Sequence, residues 1–140
     1  MPPASAVSPT IYIVDDDDSV RRALERLLRA AGWHARGFAS GKLFLAVVPP
    51  EARGCVVMDI RMPGLTGYDV QRALDARGLV IPVIALSAED GDEARRKAGQ
   101  LGAVAFFRKP VDDRALLGCI QSTIDALEYP PAARPGWSEN

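Results

Sequence analysis

Short runs of β-favouring apolar residues alternate along this chain with stretches of helical periodicity. The runs are IYIVD (11–15), HARGF (34–38), CVVMD (55–59), IPVIALS (81–87) and VAFF (104–107). Apolar runs of this length, bounded by polar or turn-forming residues, predict strands. The clearest helix is DSVRRALERLLRAAG (18–32), in which Val20, Ala23, Leu24, Leu27, Leu28 and Ala31 share one face. Arg21, Arg22, Glu25, Arg26 and Arg29 fall largely on the other, and Gly32 suits the helix end. SGKLFLAVV (40–48), GYDVQRALDARG (67–78) and DEARRKAGQLG (92–102) are shorter helices; the last is thin in apolar residues and rich in charge, which predicts a loosely held element. DDRALLGCIQSTIDALEY (112–129) is a strong final helix, with Leu116, Leu117, Ile120, Ile124 and Leu127 toward the core. PPAARPGWSEN cannot continue it. Residues 1–9 read as a disordered lead-in, 10–128 as one domain and 129–140 as a tail or linker.

Strand followed by helix, five times over, predicts an α/β domain with a parallel sheet covered on both faces. The first, third and fourth strands are continuously apolar, as central strands are. The second carries His34 and Arg36 and fits an edge.

Composition adds bounds rather than direction. The 140 residues are 48% hydrophobic and 25% charged, with a net charge of −1. Nothing in that balance points to nucleic acid or a membrane surface, and no apolar run is long enough to span a bilayer. The N-terminus lacks the basic start and apolar stretch of a targeting segment, so a cytoplasmic location is expected. Cys55 and Cys119 have no metal-ligand spacing and read as two buried, reduced thiols. His34, the single histidine, sits away from any acidic crevice. SGK at 40–42 lacks the glycine spacing of a phosphate-binding loop.

The polar residues at the strand ends carry the chemistry. Ligands of open α/β sheets bind past the carboxyl ends of the strands. There the first strand offers Asp15 and Asp16, the third Asp59, the fourth the hydroxyl of Ser87 and the fifth Lys109, followed by Pro110. Should the first and third strands be neighbours, three carboxylates meet, and a hard divalent cation such as Mg²⁺ (or Mn²⁺) would neutralise them. A carboxylate beside such an ion, a lysine and a hydroxyl is equipped to attack a phosphoryl group, since phosphoryl transfer depends on positioning and electrostatics. Asp59 stands apart from the acid pair and is the natural nucleophile. Asp17 and Asp18 serve the helix that follows, one as cap and both by charge at its positive end. Pro63, Gly64 and Gly67 shape the loop beyond Asp59.

The segments IVDDDDSVRRAL, VVMDIRMPGLTGYDV, VIALSAED and GAVAFFRKP together resemble the receiver domain of bacterial two-component response regulators, in its FixJ-like subgroup, over about residues 10 to 128. The resemblance implies a doubly wound, flavodoxin-like (βα)5 fold with a five-stranded parallel sheet in the order 2-1-3-4-5. It implies that Asp59 is the phosphoacceptor, that Asp16 ligates Mg²⁺ directly, that Asp15 holds the site through water and hydrogen bonds, and that the main-chain carbonyl of Arg61 is a further ligand. It places Ser87 and Lys109 on the phosphoryl group, makes the Lys109–Pro110 peptide cis, and makes Phe106 the rotating switch aromatic. Many relatives carry threonine where this chain has Ser87, and tyrosine where it has Phe106. Arg61 and Glu89 occupy positions that tune phosphoryl lifetime, and their opposite charges could pair over the pocket. The implied partner is a sensor histidine kinase or phosphotransfer protein. The fourth helix, fifth strand and fifth helix form the surface read by a partner or by a second copy in a homodimer. Transcription regulation would be the output of a linked domain, the chain itself binding no nucleic acid and no membrane.

Such a domain is not a turnover enzyme; it catalyses only its own phosphorylation and autodephosphorylation. A true aspartyl phosphatase would favour a second acid two residues after the nucleophile, where Arg61 stands. A phosphate-independent interaction module of the same fold is the alternative, and the complete set of acids, hydroxyl and lysine argues against it. Flavin binding fails because clustered acids would repel the cofactor's phosphate.

Overall fold

The computed structural model of the protein describes residues 8–62, 64–88 and 92–128. Strands and helices alternate as β1 (Thr10–Val14), α1 (Asp18–Ala30), β2 (His34–Phe38), α2 (Gly41–Val47), β3 (Gly54–Asp59), α3 (Gly67–Ala76), β4 (Val83–Ser87), α4 (Asp92–Leu101), β5 (Ala105–Arg108) and α5 (Asp113–Glu128). The sheet has five strands in the order β2-β1-β3-β4-β5, every pair parallel. The expected class and strand order are both observed. β2, the half-polar strand, lies at an edge.

Because strand side chains alternate, one run feeds two cores. Tyr12, Val14, Val56, Met58 and Val83 join Phe38, Phe44, Val70, Leu74 and Leu101 on one face. Ile11, Ile13, Cys55, Val57, Ile84 and Leu86 join Leu24, Leu28, Leu116, Ile120 and Ile124 on the other. Thus α2, α3 and α4 cover the first face, and α1 and α5 the second. β1, β3 and β4 are buried along almost their whole lengths, which is why they read as unbroken apolar runs.

Several boundaries differ from expectation for local reasons. β1 ends at Val14, so Asp15 is the first residue past the ladder. β4 begins at Val83 rather than Ile81 because Pro82 has no N–H to give; its carbonyl still accepts from the Val56 amide at 2.9 Å. β5 is shifted by one residue to Ala105–Arg108. β3 gains Gly54, whose φ of +137° only glycine tolerates easily and where a Cβ would lie 1.9 Å from the Thr10 carbonyl oxygen. α1 buries Leu24 and Leu28, while Ala23 and Ala31, expected on the same face, are exposed. Arg21, expected on the polar face, is largely enclosed, its side chain 14% exposed. Cys55 is fully buried as expected, but Cys119 is only half-buried. Burial pushes the Cys55 thiol up to about 12. Both thiols are free.

The starts of α1, α2 and α3 each have a chemical reason. Asp17 caps α1, its carboxylate accepting from the amides of Ser19 and Val20. Ser40 caps α2, and Thr66 with Asp69 forms a reciprocal capping box at α3. Gly32 takes a φ of +96° where the chain leaves α1, as the sequence predicts for a helix end. No described helix is long and apolar enough to cross a membrane. The lead-in residues 1–7 and the tail 129–140 lie outside the described residues, as do Pro63 and Glu89.

Candidate functional site

The parallel register brings the carboxyl ends of β1, β3, β4 and β5 to one edge of the sheet. Val14 pairs with Met58, so the residues that follow, Asp15 and Asp59, emerge side by side. Asp59 pairs with Leu86, and Ser87 with Arg108, which places Ser87 and Lys109 alongside. Backbone bonds continue the ladder into the loops: Asp15 N–H donates to the Phe38 carbonyl at 3.1 Å, Ile60 N–H to that of Leu86 at 3.0 Å, and Lys109 N–H to that of Ser87 at 2.8 Å. The positions therefore come from strand ends tied into the sheet by backbone hydrogen bonds.

Asp15 and Ser87 are wholly buried and Asp59 is 7% exposed; they are the buried polar side chains of the described residues. Lys109 reaches between the two acids. Its Nζ donates to Asp59 Oδ2 at 2.9 Å and lies 2.7 Å from Asp15 Oδ2. The second contact is an ion pair without good hydrogen-bond direction, since Asp15 Oδ2 otherwise has no hydrogen-bond partner. The remaining oxygens are held locally: Asp17 N–H donates to Asp15 Oδ1 and Arg61 N–H to Asp59 Oδ1, each at 2.9 Å. The Lys109–Pro110 peptide is cis, as the resemblance implied.

The electrostatics follow from this crowding. Desolvation raises the pKa of Asp15 above the usual carboxylate range. The Lys109 contact and the Asp17 amide pull it part of the way back, and the charge of Asp59 pushes it up further. For Lys109 burial works against the charged form, but bonds and charge from Asp15 and Asp59 outweigh it and raise its pKa. One ammonium thus faces two buried carboxylates, and a third carboxylate stands close by. Asp15, Asp16 and Asp59 can each present one oxygen so that all three lie within 4.8 Å of one another. The convergence of three carboxylates, the all-oxygen donor set and an Asp15 Oδ2 that is ion-paired to Lys109 without a well-directed hydrogen bond together fit a small hard cation. Asp16 is exposed, so the ion would face solvent and keep waters.

The structure brings Asp15, Asp16, Asp59 and Lys109 together, with Ser87 buried at the end of the neighbouring strand. Phe106 lies on β5 beside this edge, half-buried, with the Arg95 guanidinium 5.2 Å from its ring centroid. Arg61 is exposed. Its pairing with Glu89 falls outside the described residues. His34 is exposed on β2, as expected of an edge residue. Two contacts were not foreseen. Arg95 covers Phe106 from α4, and Arg21 donates from α1 to the Asp15 carbonyl at 2.8 Å. The spacing of Arg21, six residues after Asp15 and one turn into the helix, was the available signal.

Comparison with known proteins bears on the family and the fold. The family profile described as "Response regulator receiver domain" matches residues 11–121. The response regulator protein TodT of Pseudomonas putida is 42% identical over 124 residues, covering 89% of this chain and 53% of its own length. The chain spans about half the length of that curated relative. The solved structure of response regulator StyR is similar at a TM-score of 0.78 and 38% identity, over 85% of this chain and 60% of that one. The crystal structure of FixJ-N is similar at a TM-score of 0.76 and 31% identity, over 86% of this chain and 96% of that one.

Proposed function

The chain belongs to the response regulator receiver domain family of two-component systems, and from that premise we propose that Asp59 accepts a phosphoryl group from a phosphohistidine on a partner kinase or phosphotransfer protein. The observation that supports this best is Lys109 bridging Asp15 and Asp59 at 2.7 and 2.9 Å. A cation so placed can turn from one carboxylate to the oxygens of a phosphoryl group attached to its neighbour.

In the proposed reaction a carboxylate oxygen of Asp59 attacks phosphorus. The O–P bond forms as the P–N bond to the donor imidazole breaks, and the imidazole leaves with its electron pair and takes up a proton. Asp16, Asp15, Asp59 and the Arg61 carbonyl would hold Mg²⁺. Bound there, the ion offsets the charge of the phosphoryl oxygens. Asp15 stays in place through the Asp17 amide. Arg61 N–H is bonded to Asp59 Oδ1, which leaves Oδ2, the oxygen that Lys109 reaches, to attack as the lysine turns toward the incoming phosphoryl group. The Ser87 hydroxyl donates to a phosphoryl oxygen, and Lys109 pairs with another. Drawing Ser87 toward the phosphate opens space that the Phe106 ring can follow, changing the surface of α4, β5 and α5. Swinging such an equilibrium from 1:99 to 99:1 takes about 5.5 kcal/mol. Charge-assisted contacts from Lys109 and Ser87 to a new dianion are of that order when summed. That surface would be read by a partner or pair with a second copy. Arg61 and Glu89 would set how long the acyl phosphate survives. Residues 10–128 would be the receiver and the flanking segments its connections, with transcriptional control the work of a longer protein, as the name of the relatives called transcriptional regulatory protein FixJ states for them.

Incubation with acetyl phosphate tests this. Intact mass should rise by one phosphoryl group in the presence of Mg²⁺. It should not rise with EDTA, nor in Asp59→Asn. Labelling that persists in Asp59→Asn would reject Asp59 as acceptor. A conformational response to no phosphoryl analogue, with partner binding intact, would favour the phosphate-independent module.

A further inference from the structure

The β1–α1 turn carries four consecutive carboxylates, Asp15 to Asp18, and one guanidinium grips it from the helix. Arg21 Nη1 donates to the main-chain carbonyl of Asp15 at 2.8 Å, and Nη2 pairs with the Asp18 carboxylate. The side chain is 14% exposed, although its place in the helical pattern is on the polar face. The room comes from the neighbouring strand. At Gly37 on β2 a Cβ would lie 2.9 Å from Arg21 Cγ and 2.1 Å from Glu25 Oε2. Any larger residue there would push into the Arg21 stem and the Glu25 carboxylate.

The bond falls at a sensitive place. Asp15 N–H is tied to the Phe38 carbonyl, and Asp15 C=O to Arg21, so both polar groups of that residue's backbone are fixed. The Asp15 carbonyl belongs to the peptide that leads into Asp16. Asp16 is exposed, so the plane of that peptide decides where its carboxylate reaches. A charge-assisted bond is roughly twice as strong as a neutral one, and a guanidinium holds its geometry by its planar fork.

We propose that Arg21 is a positioning residue for the divalent-cation site. It clamps the Asp15–Asp16 peptide so that Asp16 converges with Asp15 and Asp59, and Gly37 leaves the passage through which it reaches. The inference rests on the cation reading given under the proposed function, and its sign separates it from that reading and from plain charge. Arg21 is a cation beside an acidic cluster, so its charge alone repels Mg²⁺, and removing it should tighten Mg²⁺ binding. A clamp predicts the opposite.

The test is calorimetric titration of the metal-free full chain with MgCl2, with thermal unfolding recorded in parallel. Arg21→Met keeps the enclosed stem and removes every donor, and a melting curve as cooperative as that of the wild type shows that the fold is kept. Its Kd for Mg²⁺ should rise about tenfold, in line with partners that orient metal ligands. Arg21→Lys, with a single flexible ammonium, should fall between wild type and Arg21→Met. Gly37→Ala, which leaves Arg21 in the sequence but crowds its path, should also weaken binding. Unchanged or tighter binding in Arg21→Met beside a wild type that binds would overturn the clamp alone. A wild type that does not bind Mg²⁺ would overturn the cation reading and the clamp together.

Discussion

Helices α1 and α4 flank the two ends of the same crevice, and they are held in different ways. α1 buries Leu24 and Leu28, is capped by Asp17, and sends Arg21 and Arg29 to the backbone carbonyls of Asp15 and Ala35. α4 buries two alanines and Leu101, and its remaining described ties are polar or aromatic. Tyr68 donates from α3 to Gln100 at 2.6 Å, and Arg95 lies over Phe106. Arg96 and Lys97 pair with Glu93 of their own helix. A buried leucine contributes about 1.5–3 kcal/mol, a methylene about 0.8 kcal/mol, so α4 is fastened far more weakly than its length implies. The difference matches what each helix stands beside. α1 follows directly on the turn that carries Asp15 and Asp16, two of the acids proposed to hold a cation. α4 covers Phe106, the side chain proposed to move. Elements that move are drawn from the low-stability end of a fold.

The largest effect should come from loosening the firm helix. Leu28 is completely buried against both the sheet and α5 residues of its cluster. Leu28→Ala should cost about 2–5 kcal/mol in urea-induced unfolding, with the loss shared by the whole domain. A loss confined to α1, with the rest of the transition unmoved, would break the comparison, since α1 would then be no better integrated than α4.

Next comes the cap. Asp17→Ala removes the acceptor for the Ser19 and Val20 amides and should cost about 1 kcal/mol by the same measurement. Asp18→Ala should cost less, because the Asp18 carboxylate is exposed to water and its partner Arg21 keeps its bond to the Asp15 carbonyl. The order of the two variants matters. If Asp18→Ala proved the more damaging, the start of α1 would owe its stability to the ion pair and not to the cap.

How far these features could be read beforehand depends on whether their cause is local. The strands were legible because β1, β3 and β4 are buried on both faces, which forces unbroken apolar runs on them. The acid cluster was legible because Asp15 and Asp59 close their strands, and a parallel register then leaves them adjacent. Ser87 and Lys109 follow by the same logic on β4 and β5. What escaped depends on a neighbour far along the chain. Ala23 and Ala31 share the apolar face of α1 in projection, yet the sheet and α5 cover only a narrower stripe through Leu24 and Leu28. Arg21 reads as a solvent-facing helix residue until Gly37, on another element, opens a path beneath it. Arg95 is one of several charges on a polar helix, and nothing near it in sequence announces an aromatic ring on β5. The thin apolar content of α4 was the one non-local property visible in composition, since a helix with little to bury has little to be held by.

The smallest effect bears on that ring. The Arg95 guanidinium sits 5.2 Å from the Phe106 centroid, and Phe106 is half-buried, so part of its face would meet water without that cover. A cation over an aromatic at such a site contributes about 0.5–1 kcal/mol. Arg95→Ala should therefore leave urea unfolding almost unchanged. Local opening is a different matter, because for α4 this contact is one of few. Amide exchange within Asp92–Leu101 should quicken by about two- to fivefold, which is that energy expressed as a ratio. Exchange in α1 should not alter. Equal acceleration in both helices would mean that the stacking stabilises the domain as a whole. No acceleration in α4 would mean that its alanines and Leu101 suffice to hold it, and the contrast with α1 would then rest on packing alone. An α4 that alone loosens would show Arg95 to be a latch on the resting position of Phe106, released at a cost far below the several kcal/mol that phosphorylation is proposed to supply.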